Sequence, residues 1–169
     1  NIPKDAILIL SVGELNANKN HKIVIEILPE LPNNVHYLMC GDGQLKEQHE
    51  RLAKKLHVSD RLHFLGYRKD VIKIMKSCDI FVFPSKREGL SVALMEAMAC
   101  GLPCVVSKIR GNEDLIENEK GGYCVDLENE KFNIYINKIL ELGLSKSMSA
   151  FNYNKVSNYS IKKVNLKMR

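Results

Sequence analysis

Apolar and polar positions along the chain follow two alternating patterns. Short runs that are apolar almost throughout are each followed by a stretch with apolar residues three and four apart. "AILILSV" (6–12) reads as a buried strand, and "KNHKIVIEIL" (19–28) then sets Ile23, Ile27 and Leu28 on one helical face. "VHYLMCG" (35–41) is a second strand, followed by the charged, amphipathic "GQLKEQHERLAKKLHV" (43–58). "RLHFLG" (61–66) is a third, with "KDVIKIMKSC" (69–78) as its helix. "DIFVFPS" (79–85), "PCVVS" (103–107) and "GYCVD" (122–126) complete the strands, and helices are predicted over 91–101, 111–118 and 130–142.

Strands that are apolar on both faces belong to a sheet covered on both sides. Their alternation with helices predicts an α/β fold: a doubly wound, mainly parallel, Rossmann-like sheet of about six strands flanked by helices. Residues 1–142 form this domain. The remainder, 143–169, carries no strand pattern and reads as a basic helical tail, with Ile161, Val164 and Met168 at helical spacing among lysines.

The tail also explains the charge. From Leu142 to Arg169 there are six basic residues and no acid, so the net +5 of the whole chain leaves the body near −1. A balanced body without aromatics interleaved among Lys and Arg gives no reason to expect nucleic acid as a partner. The basic tail is a solvated helix face or a peripheral contact with a membrane surface. At 169 residues and 45% hydrophobic content the chain can bury a proper core. No apolar run reaches the ~18 residues of a membrane span, and no signal peptide is recognisable. The chain starts at Asn1 rather than Met, as a piece of a longer protein would. Five cysteines, each in or beside an apolar stretch, read as reduced thiols and point to a cytoplasmic setting. Cys100 and Cys104 lack a second Cys/His pair, so no metal site is predicted.

In wound sheets, ligands gather at the carboxyl ends of the strands. The loops there are 13–19, 41–44, 66–69, 85–91 and 108–112: "GELNANK", "GDGQ", "GYRK", "SKREGLS" and "KIRGN". "GDG" reads either as a strand-to-helix turn or as a ligand contact. The segment "SKREGLSVALMEAMACGLPCVV" sets Glu88 in a loop and Glu96 inside an otherwise apolar helix. A buried carboxylate needs a partner or a job. Ser91 is a good N-cap, and the amides of Gly89, Leu90 and Ser91 form an electropositive helix start suited to an anion. Carboxylates only accept hydrogen bonds, so Glu88 and Glu96 suit sugar or ribose hydroxyls. The plainer alternatives are an ordinary loop acid for Glu88, a helix-dipole partner for Glu96, and a solvated Lys19. The five histidines have no partnered arrangement visible in sequence.

The E-x7-E spacing after a strand ending in Pro-Ser resembles the signature of retaining glycosyltransferases of family 4, in their C-terminal, nucleotide-sugar-binding half. "SVGELNANKN", "LMCGDG", "RLHFLGYRKDV" and "RGNEDLIENEKGGYCV" are similar to that family's other motifs, in the same order, over about residues 6–126. The resemblance implies one half of a two-domain GT-B architecture whose N-terminal acceptor domain lies outside this chain. It implies that Glu88 holds the donor sugar and Glu96 the ribose, and that Lys19 neutralises the departing diphosphate. Gly89, Leu90 and Ser91 would face diphosphate and sugar, Gly66, Tyr67 and Arg68 the base, and Gly13 the phosphates. The partners implied are a nucleotide diphosphate sugar, expected to be a UDP-sugar, and a sugar or lipid-linked acceptor. No cofactor or metal is implied. The setting would be cell-surface polysaccharide synthesis, in the cytoplasm or at the inner face of the membrane. One departure stands out: the family's Gly-Arg-Leu is Gly13-Glu14-Leu15 here, so Glu14 must point away, pair, or meet the acceptor. A nucleotide-sugar epimerase half and a non-enzymatic nucleotide-binding module are the alternative readings. The latter lacks both G-x-G-x-x-G and a receiver-type acidic cluster.

Overall fold

The computed structural model describes residues 2–143 and 145–157. Six strands, β1 (Ile7–Val12), β2 (Val35–Cys40), β3 (Leu62–Gly66), β4 (Ile80–Phe83), β5 (Cys104–Ser107) and β6 (Gly122–Val125), form one sheet. The order is β3-β2-β1-β4-β5-β6, and every neighbouring pair is parallel. Helices α1 (Lys22–Ile27), α2 (Lys46–Lys55), α3 (Val71–Met75), α4 (Val92–Ala99), α5 (Arg110–Glu113) and α6 (Asn129–Leu142) connect them, and α7 (Ser145–Val156) follows. The order reverses between β1 and β4, which makes the ends of those two strands the switch point of the sheet.

Successive strand residues point to opposite faces, and both faces are buried. Ile9, Tyr37, Val82, Val105 and Tyr123 pack into one cluster with Ile23, Ile27, Phe132 and Ile136 of α1 and α6. Leu10, Leu38, Phe81, Phe83 and Val106 pack into the other with Met75, Leu94 and Met98 of α3 and α4. This is why the strands read as continuous apolar runs.

Most helices are shorter than predicted, and two of the differences bear on the site. α1 starts at Lys22 rather than residue 19 because Asn16 Oδ1 accepts the N–H groups of Asn18 and Lys19, at 3.0 Å each, and Asn20 adopts φ +52°. An Asx-type turn competes here with the helix and wins. Lys19 therefore lies on a loop. The helix predicted over 111–118 is a single turn, α5, and Asn118 instead bonds the Cys124 N–H through its side chain.

α7 docks on α4 and buries Met148. Buried Asn152 donates from Nδ2 to the carbonyls of Leu102 (2.8 Å) and Gly121 (2.6 Å), tying α7 to the amino ends of β5 and β6. The helical pattern predicted at Ile161, Val164 and Met168 lies outside the described residues. No helix among the described residues is long and apolar enough to cross a membrane.

Candidate functional site

The carboxyl ends of β1, β2 and β3 open onto a cleft of about 410 Å³ whose walls include Gly13, Glu14, Gly41, Asp42, Tyr67 and Arg68. Gly41 sits at φ +144°, and a Cβ on it would lie 1.9 Å from the Gly13 carbonyl oxygen. The first two loops thus meet backbone to backbone, which the "GDG" turn achieves only with glycine there. Tyr67 is exposed at the mouth. Arg68 grips Asp70 with two bonds of 2.8 Å, and this surface pair holds the Asp70 carboxyl below its usual range.

Beside this cleft, Lys19 Nζ donates to Glu88 Oε1 at 2.6 Å. The side chains are only 20% and 13% exposed, so this pair is partly withdrawn from water and screened less than a surface one. The Lys19 ammonium also sits 4.8 Å from the Phe83 ring centroid. Its methylenes pass over Gly13, where a Cβ would meet Lys19 Cε at 3.1 Å. The residues 69 apart in sequence are held in reach by two further bonds. Asn18 Nδ2 donates to the Arg87 carbonyl (2.9 Å), and the Lys86 N–H donates to the Asn18 carbonyl (2.8 Å).

The Glu88 loop runs into α4, where Ser91 Oγ accepts the Leu94 N–H at 3.3 Å as the N-cap. The N–H groups of Gly89, Leu90 and Ser91 donate to no group among the described residues, so they remain available to an anion. Beneath them, a Cβ on Gly111 would lie 1.8 Å from the Gly89 carbonyl oxygen, so the start of α5 and the loop before it back the Glu88 loop directly. Asn112 steadies that loop by donating from Nδ2 to the Ser107 carbonyl at 2.9 Å.

The predicted site residues therefore fall into three groups. Gly13, Tyr67 and Arg68 share the cleft with neighbouring Gly66. Lys19 and Glu88 pair at its edge, adjoining Gly89, Leu90 and Ser91. Glu96 stands apart: it is half-buried, its carboxylate without a hydrogen bond or ion pair among the described residues, in a second hollow with Val92, Met95, Tyr153 and Val156. It lies one helical turn before Cys100, whose Sγ is 4.0 Å from the Ile72 carbonyl of α3. Its own hollow opens toward α7, while Cys100 beside it reaches α3, the helix following Tyr67 and Arg68.

Glu14 is exposed at the cleft and accepts from Asn16 Nδ2 at 2.9 Å, which settles how a carboxylate is housed there. Asn16, Asn18, Gly111 and Asn112 were not singled out from sequence. The Asn-rich "LNANKN" carried a signal for the first two, since Asn favours turns that capture nearby N–H groups. The contact of Gly111 with Gly89 is tertiary and left no local trace.

Below the Lys19 loop, His21 is buried and bonded through Nδ1 to Tyr37 Oη (3.0 Å). Tyr37 donates to Ser11 Oγ (2.8 Å), and Ser11 donates to the Val82 carbonyl (2.6 Å). Because the Tyr37 proton goes to Ser11, His21 carries its proton on Nδ1. Burial first, then the neighbouring His49, lower its pKa to about 3. The unfolded chain takes up this proton near the ordinary histidine value of 6.5, so the stability from neutral His21 is complete above that pH. It is lost progressively as pH falls from there toward about 3. Urea denaturation at pH 7, 5.5 and 4.5 is expected to show stability falling by up to about 1.4 kcal/mol per pH unit from this residue, and His21→Gln should flatten that slope.

Burial raises all five thiols, Cys78 to about 12 and Cys40 and Cys124 to about 11, so none is a ready nucleophile at neutral pH. Among the described residues no group of three or more His, Cys, Asp or Glu is placed to hold a metal ion.

A six-stranded parallel sheet with loops converging at its switch point defines the Rossmann-like α/β class. Within that class the chain belongs to the family of group 1 glycosyl transferases, whose profile matches residues 1–157. It is 34% identical over 125 residues to the UDP-Gal:alpha-D-GlcNAc-diphosphoundecaprenol alpha-1,3-galactosyltransferase of Escherichia coli, covering 73% of this chain and 32% of that protein. It is 32% identical over 123 residues to an N-acetylgalactosaminyltransferase of Campylobacter jejuni whose name specifies a diphospho-undecaprenol substrate, covering 72% of this chain and 34% of that one. The chain thus spans about a third of the length of these relatives. Among solved structures, Anabaena HepE in complex with UDP superposes with a TM-score of 0.85 at 25% identity, over 96% of this chain and 47% of that one.

Proposed function

We propose that this chain is the donor-binding, C-terminal half of a family 4 retaining glycosyltransferase that moves a sugar from a UDP-sugar to an acceptor hydroxyl. The observation that carries this reading is the Lys19–Glu88 pair, 2.6 Å long, at the junction of the cleft and the start of α4. One side of it is a cation for a diphosphate. The other is an acceptor for sugar hydroxyls. The unoccupied N–H groups of Gly89, Leu90 and Ser91 lie next to both.

In this reading Tyr67 and Arg68 border the base, with Gly66 giving the loop its turn. Gly13 lets the diphosphate approach the backbone, and Glu96 takes the ribose from the α4 side. Chemistry is dominated by stabilising the charge that grows on the leaving diphosphate, through Lys19 and the helix-start amides. No cofactor or metal takes part beyond the donor itself. The E. coli and C. jejuni relatives carry diphospho-undecaprenol acceptors in their names, which supports a lipid-linked acceptor. Such an acceptor would fit polysaccharide assembly at the inner membrane face. The acceptor site belongs to an N-terminal half, so the chain alone binds nucleotide and transfers nothing.

Glu88→Ala tests the assignment. Its affinity for UDP-glucose, relative to bare UDP, is expected to fall about tenfold by calorimetry, the worth of a charge-assisted hydrogen bond or two. An unchanged ratio would contradict the role given to Glu88.

A further inference from the structure

We infer that the Lys19–Glu88 pair is a selectivity latch, which makes the site favour an intact sugar nucleotide over the bare nucleoside diphosphate left after transfer. The inference rests on the reading of the site given above. The two groups assigned to diphosphate and sugar are bound to each other at 2.6 Å. Lys19 has further contacts in this position: the Phe83 ring lies against its ammonium, and its methylenes pass over Gly13. Glu88 is fixed because Asn18 holds the preceding residue, Arg87, by its carbonyl. Gly111 backs Gly89 on the other side.

A ligand with a diphosphate and no sugar competes with Glu88 for the three N–H donors of Lys19 and sets a second anion beside a carboxylate that is only 13% exposed. It supplies Glu88 with no donor in return. A sugar nucleotide does not meet this penalty. Its phosphates take Lys19 while its sugar hydroxyls donate to Glu88, so both halves of the pair are satisfied at once. The same contact works in the opposite direction after transfer. Once the sugar has left, Glu88 competes with the product diphosphate for Lys19 and favours its release. The latch thus acts on the difference between two ligands of one site, which is what specificity requires.

The test is the affinity of Glu88→Gln for UDP and for UDP-glucose, measured by calorimetry beside the wild-type chain. Gln keeps the size of Glu and removes the charge that holds Lys19. UDP is expected to bind about five- to tenfold tighter to the variant, while UDP-glucose gains nothing or weakens. In a Lys19→Met background the effect of Glu88→Gln on UDP should shrink to the direct repulsion between carboxylate and diphosphate. Glu88→Asp, one methylene shorter, should move UDP in the same direction as Glu88→Gln and serves if the Gln variant does not fold. UDP binding that is unchanged or weaker in these variants, with the wild type still binding UDP at the predicted loops, overturns the latch and leaves the nucleotide reading standing. A wild type that binds neither ligand overturns both.

Discussion

Gly41→Ala is expected to lose about 3 kcal/mol of stability or more, enough to leave a large unfolded fraction in an ordinary domain. Two effects combine at this position. The backbone sits at φ +144°, which a side chain disfavours, and the new Cβ would lie 1.9 Å from the Gly13 carbonyl oxygen. A backbone atom in a strand-end loop cannot swing aside as a lysine tip would. Relief requires the β1 and β2 loops to separate, and with them the cleft floor. Gly66 provides the comparison: it has φ +65° but nothing within 4 Å of an added Cβ, so Gly66→Ala should lose only about 1 kcal/mol. Urea denaturation of the two variants beside the wild type measures both. A loss below about 1 kcal/mol for Gly41→Ala would contradict the close approach of the two loops.

Lys19→Ala is expected to lower UDP affinity at least tenfold, about 1.4 kcal/mol, and also to lower stability by about 1–3 kcal/mol. The first effect follows from removing the cation assigned to the diphosphate. The second follows because Glu88, mostly shielded, is left without its partner. A nearby pair shows how much burial matters. Lys22 and Glu26 are also bonded, at 3.2 Å, but Lys22 is 61% exposed, and Lys22→Ala should change stability by no more than about 0.5 kcal/mol. Calorimetry and denaturation on the same three proteins check both statements. Equal effects of the two lysine variants would contradict the special position of Lys19.

The strands were legible from sequence because all but the edge strand β3 are buried on both faces and therefore apolar almost without alternation. β2, buried at all six positions, is the plainest case. The sheet's parallel winding followed from the helices between the strands. Helix ends were less legible. The apolar spacing of Ile23 and Ile27 marks the body of α1, but the loop before it is set by Asn16 and Asn20. That displacement matters, because it moves Lys19 off the helix and over Gly13. The candidate site was readable as a set of loops, since strand ends in a wound sheet converge. Its pairings were not: Lys19 and Glu88 are 69 residues apart, and no periodicity links them. Glu14 looked like a charge in the wrong place until the structure set Asn16 beside it. Glu96 was expected beside the other site residues, yet in the structure it faces a hollow shared with α7.

In the proposed function Lys19, Glu88 and the Tyr67 loop serve one nucleoside diphosphate at the switch point of the sheet. Titrating the nitrogen-15-labelled chain with UDP, ADP and GDP, and following its amide resonances, tests this most directly. Changes confined to residues 13–19, 66–69 and 88–96, with UDP binding the tightest of the three, are the predicted result. Changes centred elsewhere, or none with any of the three nucleotides, would contradict the account.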